Sequence, residues 1–105
     1  MVLHNLLANA LDAAAWRPPG RRQVRLSAAA ADGGVRVEVD DSGDGIAEEV
    51  RPRLFEPFVT TKPDGMGLGL AISRSLLRAQ AGDLRLAASR LGGACFAVQL
   101  PREPG

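Results

Sequence analysis

A chain of 105 residues, 46% hydrophobic and 24% charged, fits one soluble globular domain with a modest core. Its net charge of +1 excludes a strong pull on nucleic acid or an anionic membrane, and 4% aromatic residues with no Tyr argue against stacking on single-stranded bases. Cys95, the single cysteine, rules out an intramolecular disulfide, offers no metal cluster and fits a reducing cytosol.

The first element is a helix over residues 2–15. Leu3, Leu6, Leu7, Ala10, Leu11 and Ala14 follow the spacing of one apolar face, with Asn5, Asn9 and Asp12 on the opposite side. These polar residues, together with His4, interrupt the apolar run, and no basic leader precedes it. The pattern suits neither a signal peptide nor a membrane span. Pro18-Pro19-Gly20 ends the helix.

Residues 22–30 read as a strand with Val24, Leu26 and Ala28 on one face. Asp32-Gly33-Gly34 is a hairpin turn. Val35, Val37 and Val39 then alternate with Arg36, Glu38 and Asp40, a half-buried strand. A short helix is expected from Ala47 to Leu54, a loop over 55–66, and a second long helix from Gly67 to Ala81 capped by Gly82. Two strands follow, 84–89 and 94–100, joined by a turn containing Gly92-Gly93. The tail 101–105 reads as disordered. This order gives a two-layer α/β sandwich with helices on one face of a sheet.

Three blocks carry chemistry. In NLLANALDA, residues 5–13, Asn5 and Asn9 share a helix face at i,i+4. Asn costs about 0.5 kcal/mol against Ala in a helix interior, so two of them suggest a use. An amide oxygen can ligate Mg²⁺ while phosphates supply other ligands; the alternative is a solvated polar face. In DSGDGI, residues 41–46, Asp41 continues the odd-numbered parity of the valines and faces the helices if they do. A carboxylate on a buried side needs a donor, which an adenine amino group would supply; otherwise Asp41 caps a turn. Gly43 and Gly45 permit a sharp turn and close approach to a flat ring. In GMGLGLAI, residues 65–72, Gly65, Gly67 and Gly69 stand where a loop becomes a helix. Backbone N–H groups at a helix start attract phosphate, and Lys62 could add a cation; the alternative is an ordinary glycine loop.

Rival motifs fail. No G-x-x-x-x-G-K-[ST] is present, and GMGLGL is not G-x-G-x-x-G. DDSGDG from Asp40 opens like an EF-hand loop but has Arg51 at the position that needs a bidentate Glu. The serines have no His and Asp at triad spacing. His4 reads as structural or surface.

Taken together, the blocks resemble those of the ATP-binding catalytic domain of bacterial sensor histidine kinases, in the wider group with gyrase B, mismatch-repair ATPases and the large heat-shock chaperone. NLLANALDA resembles the N box, DSGDGI the G1 box, LFEPFVTTK (54–62) the F box, GMGLGLAI the G2 box, and GGACFAVQLP the closing strand. The resemblance covers residues 1–101, leaving 102–105 as tail. It implies a Bergerat-type α+β sandwich on a mixed, mainly antiparallel sheet, and Mg²⁺ and ATP as cofactors. It makes Asn9 the Mg²⁺ ligand and Asp41 the acceptor of the adenine amino group. Gly43 and Gly45 would line the adenine pocket, with Ile46 among the cofactor-binding residues. Gly65, Gly67 and Gly69 would shape a lid hinge and phosphate site, Phe55 and Phe58 would anchor the lid's base, and Asp12, Thr60, Lys62, Leu68 and Leu70 would complete the nucleotide contacts.

In hydrolytic members of this group a Glu four residues before the Mg²⁺ Asn activates water. Asn5 stands there, and an amide is no general base, which favours phosphoryl transfer and leaves Asn5 as a catalytic-site polar contact. No phosphoacceptor histidine is present, because His4 lies inside the N box itself. The resemblance therefore implies a partner: a dimerisation and phosphoacceptor domain in cis or trans, with a response regulator downstream. A cytoplasmic location is implied, including the cytosolic part of a membrane-bound sensor, with neither nucleic acid nor membrane bound by this segment. Relative to the family, the first strand and the start of the N-box helix are missing. That points to a truncated catalytic domain and to exposed apolar surface where the strand would pair. The other readings are a non-catalytic ATP-binding regulatory module, a serine kinase of the anti-sigma type, and an ATPase.

Overall fold

The computed structural model describes residues 2–31, 33–56 and 69–101. A helix α1 (Val2–Ala15) is followed by strands β1 (Val24–Ala31) and β2 (Gly34–Asp41), helix α2 (Gly69–Arg78), and strands β3 (Asp83–Ala88) and β4 (Ala94–Pro101). The strands form one sheet in the order β1-β2-β4-β3, and every pairing is antiparallel. The two helices lie side by side on one face, α1 over β1 and β2 and α2 over β3. The two-layer sandwich expected from the element order is therefore the fold.

The hairpin joining β1 and β2 pairs Ala31 with Gly34 and has Gly33 at φ 78°. A glycine after Asp is what a two-residue hairpin turn selects, since the residue must enter the left-handed region. Registration then follows: Val24 opposes Asp41 and Leu26 opposes Val39. Strand β1 starts at Val24, two residues later than expected, because the Gln23 amide donates to the Ser42 hydroxyl at 2.8 Å instead of entering a regular ladder.

The core lies between the helices and the sheet and includes Leu6, Ala10, Val39, Leu54, Leu77, Leu84, Phe96 and Val98. Helix α1 has the expected bounds, but its buried ridge is narrower than the leucine pattern implies. Leu6, Ala10 and Ala14 are buried, whereas Leu3 is 41% and Leu11 61% exposed. The reason is the neighbour: α2 packs on the side of Asn5, so the core-facing direction is rotated away from Leu3 and Leu11 and Asn5 becomes half-buried. Exposed apolar residues also occur at Leu26 on the edge strand β1 and at Val35.

The expected helix from Ala47 to Leu54 is absent. Residues 48–50 form a turn, and only Arg51–Arg53 are helical, in a single 3₁₀ turn. Val50 and Arg51 both donate to the Ala47 carbonyl, but Pro52 has no N–H to carry the pattern forward, and its ring opposes an α turn.

Helix α2 ends at Arg78, three residues short of the expected Ala81. The Gly82 amide donates to Leu77 O at 2.8 Å and the Ala81 amide to Arg78 O at 3.1 Å, the double bond pattern of a Schellman cap. The left-handed residue is Ala81, at φ 63°, and not the expected Gly82. An alanine there carries a Cβ penalty that glycine would avoid. Ala81→Gly is therefore expected to raise stability by about 0.5–1 kcal/mol, read as a higher denaturation midpoint at unchanged m-value. A lower midpoint would show that the cap is not held in this geometry.

Candidate functional site

The sheet delivers a carboxylate to the helix side at the end of β2. Odd-numbered residues face the helices, so Val39 is 1% exposed and Asp41, two residues on, is 4% exposed. Asp41 Oδ1 accepts from the Gly43 amide at 2.9 Å and from the Ala94 amide at 3.2 Å. Its carbonyl accepts from the Gly93 amide at 3.1 Å and the Ser89 hydroxyl at 3.2 Å. Among the described residues no donor reaches Oδ2, and no fully buried side-chain polar atom is left without a partner. Main chain fixes Oδ1.

The segment after Asp41 is pressed against α1. A Cβ on Gly43 would lie 2.9 Å from Ala13 Cβ and 3.0 Å from Ala13 O, so this glycine permits α1 to cross directly over the strand end. Gly45 sits at φ 77°. Ser42 ties the segment down from the other side: its hydroxyl donates to Arg21 O at 2.7 Å, and its carbonyl accepts from Arg17 Nε at 2.8 Å. Ile46 is half-buried and packs against the core.

On α1, Asn5 Nδ2 donates to Ser73 Oγ of α2 at 3.4 Å, and Ser73 is fully buried. Asn9 is half-buried and Asp12 exposed, and both have interaction partners. Asn5 therefore sits on the flank of α1 that meets α2, and Asn9, one turn on and half-buried, is not on a solvated polar face. Gly69 opens α2, with no atom within 4 Å of where its Cβ would stand, and Leu70 in the same turn packs half-buried against the core. Phe55 meets Phe96 edge-on, with ring centroids 6.4 Å apart, and carries the Arg74 guanidinium 4.6 Å above its own centroid. The remaining expected positions, Phe58, Thr60, Lys62, Gly65, Gly67 and Leu68, lie outside the described residues.

The structure thus gathers Asn5, Asn9, Asp41, Gly43, Gly69 and Leu70 around the two helices and the strand end beneath them. It adds residues that the motifs did not single out. Gly93 and Ala94 supply two of the amides that hold Asp41, and a Cβ on Gly93 would overlap Asp41 Oδ1. The signal for this was the second glycine of Gly92-Gly93, read only as a turn residue although glycine before a strand also marks close backbone approach. Ser73, which receives Asn5, gave no signal beyond its place on α2.

Cys95 takes no part in this arrangement. It pairs with Asp40 in the register and so shares the opposite face of the sheet. Burial, with Asp40 beside it, pushes its thiol up to about 12, which leaves it an inert core residue. Among the described residues no three His, Cys, Asp or Glu side chains come together to hold a metal, and no helix is long and apolar enough to cross a membrane.

Known proteins resemble this chain in sequence and fold. The chain is 45% identical over 100 residues to the sensor protein FixL of Bradyrhizobium diazoefficiens, covering 95% of this chain and 20% of FixL. The curated relatives it matches are sensor proteins and sensor kinases, of whose length it spans between 11% and 21%. Among solved structures, the catalytic domain of histidine kinase ThkA superposes with a TM-score of 0.82 at 33% identity, over 98% of this chain and 66% of that one. Full-length ShkA, solved in complex with AMPPNP, does so with a TM-score of 0.76 at 39% identity, over 95% of this chain and 20% of that one. A family model matches residues 1–104, end to end across the helix pair, the buried acid and the closing strand. The chain belongs to the histidine kinase-, DNA gyrase B- and HSP90-like ATPase family, in the form that makes up the catalytic domain of histidine kinases.

Proposed function

We propose that this domain binds Mg²⁺-ATP and passes the γ-phosphoryl group to a histidine on a separate dimerisation and phosphoacceptor domain, in cis or in trans. The observation that carries the reading is Asp41: a buried carboxylate on the helix side, with one oxygen fixed by backbone amides and the other without a donor among the described residues. An adenine amino group is a donor of the right kind, and a charge-assisted bond in a desolvated pocket discriminates strongly. Gly43, Gly45 and Ile46 would form the wall on which the ring lies. Asp12, Thr60, Leu68 and Leu70 would border the sugar and phosphates, and Lys62 with the amides of Gly65, Gly67 and Gly69 would meet the phosphate charge.

A single amide oxygen, that of Asn9, is a hard donor suited to Mg²⁺, which keeps few protein ligands and takes the rest from phosphate and water. When bound, the ion would supply charge neutralisation across the β- and γ-phosphates. The chain's own share is positioning: Asn9 on α1 beside Asn5, which is held to Ser73. Asn5 carries an amide where hydrolytic relatives would need a base, so nothing at that position activates water. In the transfer, the bond from the γ-phosphorus to the β,γ-bridging oxygen breaks, a bond to an imidazole nitrogen forms, and ADP leaves.

Calorimetric titration with ATP, with and without Mg²⁺, tests the site. Wild type is expected to bind more tightly with the ion, and Asn9→Ala to lose that difference. A variant with the wild-type metal response would place the ion on another residue. Transfer of labelled phosphate to a phosphoacceptor helical hairpin supplied in trans tests the activity. Binding without transfer would instead indicate a regulatory module, and steady phosphate release by the domain alone an ATPase.

A further inference from the structure

We infer that Arg74 is a positioning residue for the nucleotide pocket, locking Phe55 and helix α2 into one unit. Three arginines converge on Asp83 at the start of β3. Arg74 Nε and Arg78 Nε each lie 3.2 Å from its Oδ1, and Arg85 Nε lies 3.5 Å from Oδ2. As ion pairs they are redundant, since deleting any one leaves two. Among the described residues, Arg74 alone of the three also meets a ring, its guanidinium lying 4.6 Å above the centre of Phe55. A flat cation on an aromatic face attracts the ring quadrupole and fixes the ring's plane.

Phe55 is thereby held on both sides, edge-on against Phe96 of β4 and face-on beneath Arg74 of α2. Ser73, the residue before Arg74, is fully buried and receives Asn5 of α1. One turn of α2 therefore grips both the F-box phenylalanine and the N-box helix. Leu70, in the preceding turn of the same helix, packs into the core next to them. Loosening Arg74 would let Phe55 and α2 shift relative to each other, and with them the flank of α1 that bears Asn5 and Asn9. Arg74 touches no reacting group in this arrangement, so its effect is on geometry.

The inference rests on the nucleotide-binding reading, and the molecule contains its own control. Arg78 shares the Asp83 contact at the same distance but has no ring beneath it among the described residues. Arg74→Ala is expected to weaken ATP binding about 3- to 30-fold, whereas Arg78→Ala changes it by less than about twofold. Arg74→Lys keeps a charge for Asp83 but not the flat face over the ring, and is expected to weaken binding to an intermediate degree. Thermal melts of all three establish that each is folded. In a double-mutant cycle on ATP affinity, Arg74→Ala and Phe55→Leu should be non-additive, while Arg78→Ala and Phe55→Leu should add. Equal effects of Arg74→Ala and Arg78→Ala, or wild-type affinity in Arg74→Lys, would overturn the positioning role alone. Wild-type protein that binds no ATP would overturn the nucleotide-binding reading and this inference with it.

Discussion

Asp41→Ala is expected to weaken ATP binding about 10- to 150-fold, the equivalent of roughly 1.5–3 kcal/mol for one charge-assisted hydrogen bond. The alanine variant alone is ambiguous. Asp41 Oδ1 also accepts from the Gly43 and Ala94 amides, so its removal leaves two buried donors without a partner and costs folding stability as well. Asp41→Asn separates the two effects. Its amide oxygen can still accept from both main-chain donors and keep the strand end in place. Its NH₂ group, however, would then face the position where the adenine amino group donates, putting donor against donor. The expected result is a protein that melts close to wild type and binds ATP as poorly as the alanine variant in calorimetry. Asp41→Asn with wild-type affinity would remove the adenine role, and Asp41→Ala that melts low yet binds well would reduce Asp41 to a structural cap.

How far this site could be read in the residues depends on the kind of constraint involved. The inward direction of Asp41 was legible because strand parity is rigid: once Val35, Val37 and Val39 face the helices, the side chain two positions on has no choice. The hairpin that pairs Ala31 with Gly34 was legible for a similar reason, as few residue types accept the left-handed φ of Gly33. The bounds of α1 followed from Pro18-Pro19, but its buried face did not. Leucine spacing reports that a helix is amphipathic, while the location of its partner, α2, decides which apolar residues are covered, and this leaves Leu3 and Leu11 exposed. The helix expected from Ala47 to Leu54 does not form because a single missing N–H at Pro52 governs the outcome, whatever its neighbours favour. Arg74 gave no sign at all. Its role needs Asp83 and Phe55 brought together from opposite sides of residues 57–68, a long-range fact that no local pattern encodes.

The largest effect on the fold of the site is expected at a residue that contacts no ligand. Gly93→Ala places a methyl group in overlap with Asp41 Oδ1, 2.5 Å from Asp41 O and 2.6 Å from the Gly43 amide. None of these atoms can yield cheaply. The carboxylate oxygen is held by two amides, the Asp41 carbonyl by the Gly93 amide and the Ser89 hydroxyl, and Gly43 is already in contact with Ala13. Relief requires the turn before β4 to move off the end of β2, which releases Asp41 from its fixed orientation. A destabilisation of about 1–3 kcal/mol is expected from the overlap, about 4–8 °C in melting midpoint per kcal/mol for a domain of this length. ATP affinity should fall with it, because the free Asp41 oxygen is aimed only while the bound one is pinned. Gly92→Ala is the control for backbone strain. Gly92, unlike Gly93, has a left-handed φ, 90°, and nothing lies within 4 Å of its Cβ position. It should lose about 1 kcal/mol of stability and keep its nucleotide affinity. If the two variants melt and bind alike, the contact between the closing turn and Asp41 does not set the site.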